Sequence, residues 1–401
     1  MRKVFITGVG TISAIGNNVA ESYQSLLAKQ SGIGAMQLLQ SNLKTTLPVG
    51  EVRLSNIQML HLLGLQDASR VYSRTSLLAM VAAREAFEHA KLYSQHKQRM
   101  GMFGGTSVGG MDRGEAFYKD YLTGNYKGKI NYTRVHDCGE STECVADFLG
   151  IKDFVTTIST ACSSAANAIM QATKMIQKGL LDGGIAGGAD AFSLFTINGF
   201  NSLKILSDEC CKPFDQNRKG LNLGEGSGFI VLESEEMVEK YHKIPLAEIT
   251  GYGNACDAFH QTASSADGQG AWLAMNAAIS QSGIKPEQIG YINMHGTATP
   301  NNDLSEGTAV KRIFSSGVPT FSSTKAYTGH TLAASGGIES VFATLALQNG
   351  IAFPNLNFEK PIEDIGMIPA TDIISIPDLK HILSNSFGFG GNNTSLVFSK
   401  C

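Results

Sequence analysis

Apolar positions along this chain switch repeatedly between two periods. Short runs of β-prone residues recur at 4–6, 101–103, 154–158, 184–186, 229–232, 291–294 and 394–398, which suits strands. Between them, apolar residues fall at helical spacing over 76–89, 163–177, 272–281 and 338–347. In the second of these stretches Ala165, Ile169, Ala172 and Ile176 share one face, and Gly179 supplies a stop. The alternation predicts a layered α/β protein whose sheets are covered by helices. The segment 112–143 breaks the pattern. It mixes Gly, Tyr and charge, and is predicted to be an irregular cap over a site or a subunit contact.

The chain also echoes itself. Val4-Phe5-Ile6-Thr7-Gly8-Val9-Gly10 resembles Ala247-Glu248-Ile249-Thr250-Gly251-Tyr252-Gly253, each a strand-like run carrying Gly-x-Gly. Thr160-Ala161-Cys162 and Thr328-Gly329-His330 each precede a helical run of small residues, the second over 331–348. Together the echoes predict two homologous halves, 1–244 and 245–401, with reactive residues at matching helix starts. The polar stretch Glu239-Lys240-Tyr241-His242-Lys243 before Pro245 marks the join.

Composition narrows the class. The chain has 401 residues, 43% of them hydrophobic, enough for two cores or one large duplicated unit. A net charge of -3 argues against nucleic-acid binding. No apolar run approaches the roughly 20 residues of a membrane span. The start Arg2-Lys3-Val4-Phe5-Ile6 is broken by Thr7, Gly8 and Gly10 and reads as a first strand, not a signal peptide. Seven cysteines, odd in number and without metal-finger spacing, predict reduced thiols in a cytoplasmic protein with no metal.

Candidate chemistry gathers in four segments. Cys162 sits in a small-residue turn between a strand and a helix, where helix N–H groups favour a thiolate. Taken alone, that segment suits a buried structural cysteine equally well. The others are Asn293-Met294-His295-Gly296-Thr297-Ala298-Thr299-Pro300, then Ser323-Thr324-Lys325-Ala326-Tyr327-Thr328-Gly329-His330, then Asn385-Ser386-Phe387-Gly388-Phe389-Gly390-Gly391-Asn392-Asn393. Either histidine alone is more often a core residue, and Lys325 alone a surface charge.

Together with Pro213-Phe214-Asp215, Arg218, Gly220 and Gly224-Glu225-Gly226-Ser227-Gly228, these segments resemble the β-ketoacyl-acyl carrier protein synthases, the elongating condensing enzymes. The match runs nearly end to end and in family order. The resemblance implies a duplicated thiolase-type fold, layered αβαβα, in a homodimer. It implies that Cys162 carries the acyl group and that His295 and His330 stabilise the enolate formed when malonyl-acyl carrier protein loses CO2. Backbone N–H groups of Cys162 and Phe389 would form the oxyanion hole, with Phe389 also a gate to the acyl tunnel. Lys325 with Glu339 would support the site, while Asp303 and Glu306 would be structural. Thr297 and Thr299 would meet the pantetheine arm, and Val108 would line the acyl pocket. No separate cofactor is expected, since substrates arrive on the phosphopantetheine of the acidic carrier protein. Lys204, Lys127, Lys129, Arg70 and Arg74 are the docking candidates.

Cys162-Ser163-Ser164 and Lys219-Gly220-Leu221-Asn222-Leu223 differ from housekeeping members, and Cys-Ser-Ser is similar to what many polyketide and polyene ketosynthases carry. A specialised subunit working beside a chain-length-factor partner is therefore an alternative, as is a thiolase-type acyltransferase. A thiolase wants a second catalytic cysteine near 385–393, and that loop has none. A chain-length factor lacks the nucleophile, and the starter-condensing class pairs its cysteine with His and Asn. A dinucleotide-binding reading of Gly8-Val9-Gly10 fails at Ser13, where a third glycine belongs.

Overall fold

A computed structural model describes residues 2–66, 70–92 and 98–401. The first half supplies β1 (Val4–Ser13), β2 (Met100–Gly105), β3 (Phe154–Ile158), β4 (Gly183–Asp190) and β5 (Gly226–Ser234). The second supplies β6 (Ala247–Cys256), β7 (Tyr291–Asn293), β8 (Thr320–Ser322), the short pair β9 (Ile351–Ala352) and β10 (Ile374–Ser375), then β11 (His381–Phe387) and β12 (Asn392–Ser399). Hydrogen bonding connects the long strands in the order β3-β2-β4-β5-β1-β6-β12-β11-β7-β8. Setting aside the β9/β10 pair, each half runs from its outer edge to the centre as third, second, fourth, fifth, first strand. Parallel and antiparallel pairings repeat as well: β2 is parallel to β3 and β4, as β7 is to β8 and β11. The halves meet through two residue pairs of β1 and β6, Phe5 with Glu248 and Ile6 with Ala247. This is the duplicated thiolase architecture.

The Gly-x-Gly echo has a packing cause. A side chain on Gly8 or Gly10 would collide with the carbonyl oxygens of Ala86 and Ala82 on the helix Arg74–His89. A side chain on Gly251 or Gly253 would meet Ala278 and Ala274 on Gln269–Ser282 in the same way. In both halves, bare backbone lets an outer helix lie directly on the innermost strand. Two further helices fill the middle layer. Ser335–Asn349 is buried all round through Leu347 and packs on β5 of one half and β11 of the other. Ser164–Gln177 lies beside it. A helix apolar on all sides must be interior, and these two carry the loops on which the chemistry sits.

The cap is more regular than expected. The segment predicted to be irregular contains the helix Met111–Leu122, a 3-10 turn Ile130–Val135 and the start of the helix Cys138–Leu149. Met111–Leu122 buries no residue in its own chain, so no core-facing stripe marks it in the sequence. Among the described residues, no helix is long and apolar enough to cross a membrane.

Two glycine substitutions should move stability in opposite directions. Gly10→Ala drives a methyl group into Ala82 and should cost about 1–3 kcal/mol. Gly199→Ala, exposed within the helix Leu194–Ser202 and facing open space, should gain up to about 1 kcal/mol. Denaturant titration of both variants checks the pair of signs.

Candidate active site

Cys162 follows β3 by a short turn whose preceding residue, Ala161, is held at φ 52°. Such left-handed backbone at a non-glycine residue is strained and persists only where its surroundings enforce it. Here Ser164 Oγ receives the Thr160 N–H at 2.9 Å, and Asn392 Oδ1 lies 2.8 Å from both Ser163 Oγ and Asn167 Nδ2. The Cys162 turn of the first half is thereby tied to the Gly/Phe loop of the second. Gly388 allows that approach, since a Cβ there would press on Thr160 O and Cys162 N.

His330 occupies the topologically matching place, after β8 and before Ser335–Asn349. Its Nε2 lies 3.1 Å from Cys162 Sγ and its Nδ1 3.0 Å from Ser335 Oγ. The His295 ring stands edge-on to the His330 ring with centroids 5.3 Å apart. Lys325 Nζ sits 3.3 Å from His295 Nδ1 and 2.5 Å from Glu339 Oε1. An ammonium can only donate, so His295 Nδ1 accepts, and the neutral ring carries its proton on Nε2. Burial, reinforced by the charge of Lys325, holds both imidazoles well below the usual histidine range. They are neutral hydrogen-bonding groups at physiological pH.

The resting thiol is the main departure from expectation. Cys162 lies just outside the helix Ser164–Gln177, behind the N-cap Ser163. Burial pushes its pKa up to about 11, although Lys325 and the backbone N–H groups of Phe389 and of Cys162 itself pull it down. Desolvation wins over the helix start, so the sulfur is protonated at neutral pH. The same two N–H groups point at the sulfur, where a thioester carbonyl would form.

The acidic residues are structural. Glu306 accepts the N–H groups of His295 and Gly296, both at 2.8 Å, and the Asn385 amide at 3.0 Å. Asp303 accepts from Phe214 N at 2.7 Å and Ala298 N at 3.1 Å. They pin the loop that carries His295.

One cavity of about 260 Å³ joins these groups. Cys162, His295, His330 and Phe389 line it, and Thr297 and Thr299 stand toward Asn301, with their hydroxyls 2.9 Å apart. Lys325 and Glu339 lie behind His295. Val108 does not reach this cavity. Asp190 takes its N–H, and its side chain packs in a cluster with Leu221, Ile205 and Phe200. The Phe389 ring stacks on Phe200 at 5.8 Å, linking the cavity to that cluster.

The docking candidates divide. Arg74 is not a surface residue: all five guanidinium N–H groups are spent on Glu225, Val52, Leu54 and Asn56. It is an internal strut, because the first turn of its helix faces inward. Arg70 pairs with Glu140 and Asp147, away from the cavity mouth. Lys127 and Lys129 are exposed on the cap. Only Lys204 adjoins the mouth, next to the lining residue Leu203.

Ser335, Thr331, Asn167 and Phe200 escaped the sequence reading. None of them left a signal: even Asn167 shares its helix face with Ser163, Ser164, Gln171 and Lys174.

Comparison with known proteins decides the family. The model of the β-ketoacyl synthase N-terminal domain matches residues 1–237, and that of the C-terminal domain matches residues 246–359. The chain belongs to the β-ketoacyl synthase family. It is an enzyme of the acyltransferase class. Similar to it is a 3-oxoacyl-[acyl-carrier-protein] synthase 2 of Staphylococcus aureus, 34% identical over all of this chain and 98% of that one. Among solved structures, the ishigamide ketosynthase/chain length factor has a TM-score of 0.93 at 26% identity, covering 100% of this chain and 99% of that one. A ketosynthase from Xenorhabdus doucetiae, solved in complex with its chain length factor, has a TM-score of 0.88 at 31% identity over 100% and 98%. In this member of the family the cavity holds a cysteine with two neutral imidazoles beside it.

Alkylation of Cys162 by iodoacetamide should become about tenfold faster per pH unit from pH 7 to 9, because only the thiolate reacts and the pKa lies higher. A rate that levels off near pH 7 contradicts the buried-thiol account. Mass mapping separates Cys162 from the exposed Cys210, Cys256 and Cys401.

Proposed function

We propose that this β-ketoacyl synthase condenses an acyl group held on Cys162 with malonyl-acyl carrier protein, releasing CO2 and β-ketoacyl-acyl carrier protein. The observation that carries the reading is the convergence of Cys162, His295 and His330 on one cavity. In the first step the sulfur attacks an acyl thioester, and the thiol proton ends on the departing pantetheine thiol. The N–H groups of Cys162 and Phe389 receive the developing oxyanion, and each such donor is worth about 3–4 kcal/mol in other enzymes. Malonyl thioester then enters past Thr297 and Thr299. Loss of CO2 moves charge onto the thioester oxygen, toward the imidazole N–H groups. The enolate carbon attacks the acyl carbonyl, and collapse expels Cys162 as thiolate, which regains a proton. Charge is taken up throughout by N–H groups of the protein, and the substrates bring their own phosphopantetheine.

The partners belong to the same proposal. Lys204 at the mouth suits an acidic carrier protein. The chain pairs with a second copy, or with a ketosynthase-like subunit, across the sheet edge at β3, where Val155 is exposed. The exposed Tyr118, Tyr121, Leu122 and Tyr126 of the cap extend that apolar surface. Cys162-Ser163-Ser164 and the aromatic cap favour a specialised pathway, with the chain acting in the cytoplasm.

Cys162→Ala should abolish elongation of acyl-carrier protein, measured by mass spectrometry of the carrier-bound product; full activity in that variant sinks the reading. Lys204→Glu should raise KM for the carrier-bound substrate by roughly fivefold and spare small soluble thioesters. Equal loss on both removes the docking role.

A further inference from the structure

We propose that Ser335, backed by Thr331, is a positioning residue that fixes the tautomer of His330 so that its Nε2 carries the proton and faces the reacting atoms. The inference rests on the condensing reading of the site and adds how the second imidazole is prepared for it.

His295 needs no such device, because the ammonium of Lys325 dictates its tautomer. His330 has no cation against its Nδ1. Among the described residues its only side-chain partner there is Ser335 Oγ at 3.0 Å, and a hydroxyl can donate or accept. Thr331 Oγ1 lies 3.1 Å from the same Ser335 oxygen. Thr331, Ser335 and His330 are each no more than 2% exposed, so these protons must find partners within the protein.

Two arrangements of the chain are available, and they differ in one proton. In the first, Thr331 donates to Ser335, Ser335 donates to Nδ1, and the imidazole proton sits on Nε2. Both hydroxyl protons are then used, and the proton that loses the imidazole as acceptor is the Cys162 S–H, a much weaker donor than a hydroxyl. In the second, Nδ1–H donates to Ser335 and Ser335 donates to Thr331. The Thr331 proton is then left without a described partner, since Ser335 is its sole side-chain contact. Stranding a buried donor is costly, so the first arrangement prevails. His330 thereby presents an N–H to Cys162 Sγ and to any oxyanion replacing a proton donor there, matching His295. In this state His330 is a donor and not a base for the thiol.

Ser335 begins the buried helix Ser335–Asn349, so its position is set by packing and not by the histidine it holds. Leu332, between His330 and Ser335, is kept at φ 52°, which folds the turn back and brings the hydroxyl under the ring.

The test is 15N imidazole spectroscopy of the full-length protein labelled at histidine, with His330 assigned by its loss in His330→Gln. The wild type should show an unprotonated Nδ1 and a protonated Nε2 at His330. Ser335→Ala should mix the tautomers and slow malonyl-carrier protein decarboxylation by about ten- to a hundredfold in kcat with KM retained. Thr331→Val, which keeps the shape and removes only the second hydroxyl, should give the same spectral mixing with a smaller rate loss. A protonated Nδ1 in the wild type overturns the proposal even if no variant folds. Unchanged spectra and rates in both variants overturn it as well. The spectrum is read without turnover, so its outcome is independent of whether Cys162→Ala supports the condensing reaction.

Discussion

A thiol and two imidazoles are buried around one cavity, and the contact of Lys325 with His295 and Glu339 places a charge among them. A bare ammonium in this interior would be prohibitively costly. Glu339 offsets it at 2.5 Å, while burial pushes that carboxyl up to about 6 against the pull of Lys325. The pair leaves the cation's remaining reach for His295 Nδ1. Burial keeps both imidazoles neutral with the field of Lys325 acting in the same sense, and that field also pulls the Cys162 thiol down against the larger push of burial. One buried charge thus bears on all three groups, although burial has the larger share in their protonation.

Duplication explains how these groups come together. Cys162 leaves the third strand of the first half and His330 the third strand of the second, each entering one of the two central helices. His295 follows β7, the counterpart of β2, and Phe389 lies between β11 and β12. Because the central helices lie side by side, their N-terminal loops share one cavity. The sequence echo between Thr160-Ala161-Cys162 and Thr328-Gly329-His330 is the trace of this geometry. The likeness of Gly8/Gly10 to Gly251/Gly253 is the trace of equal helix–strand distances in the two halves.

What could be read from the sequence follows from how local each cause is. Strands and buried helices announced themselves, since period and glycine placement act over a few residues. The family motifs brought the reacting groups into one list, although their meeting in space spans 168 positions between Cys162 and His330. Three readings failed because their causes are distant. Arg74 finds Glu225 from 151 positions away. The thiol pKa is decided by the whole water-excluded pocket and not by the helix start beside it. The cap helix Met111–Leu122 buries none of its residues in its own chain. Ser335 was invisible for the opposite reason: one hydroxyl among Ala333, Ala334, Gly336 and Gly337 looks like another small residue.

Several loops around the cavity share one construction. Each hangs from a buried carboxylate that accepts backbone N–H groups. Asp190 holds Ser107, Val108 and Ala333, Glu306 holds His295 and Gly296, and Asp303 holds Ala298 and Phe214. Ala161, Phe214, Ala298 and Leu332 all keep positive φ beside the site, a strain that free loops would relax. Buried anions are expensive, and burial pushes Glu306 up to about 7, so each is tolerated only because several N–H donors converge on it. The reciprocal holds for the loops: N–H groups that no helix or strand satisfies find interior acceptors in these carboxylates. Asp190 is the telling case. It ties Ala333, three residues beyond His330, to Ser107 and Val108 beside the apolar cluster behind Phe389, so the imidazole turn and the wall of that cluster are fixed by a single side chain.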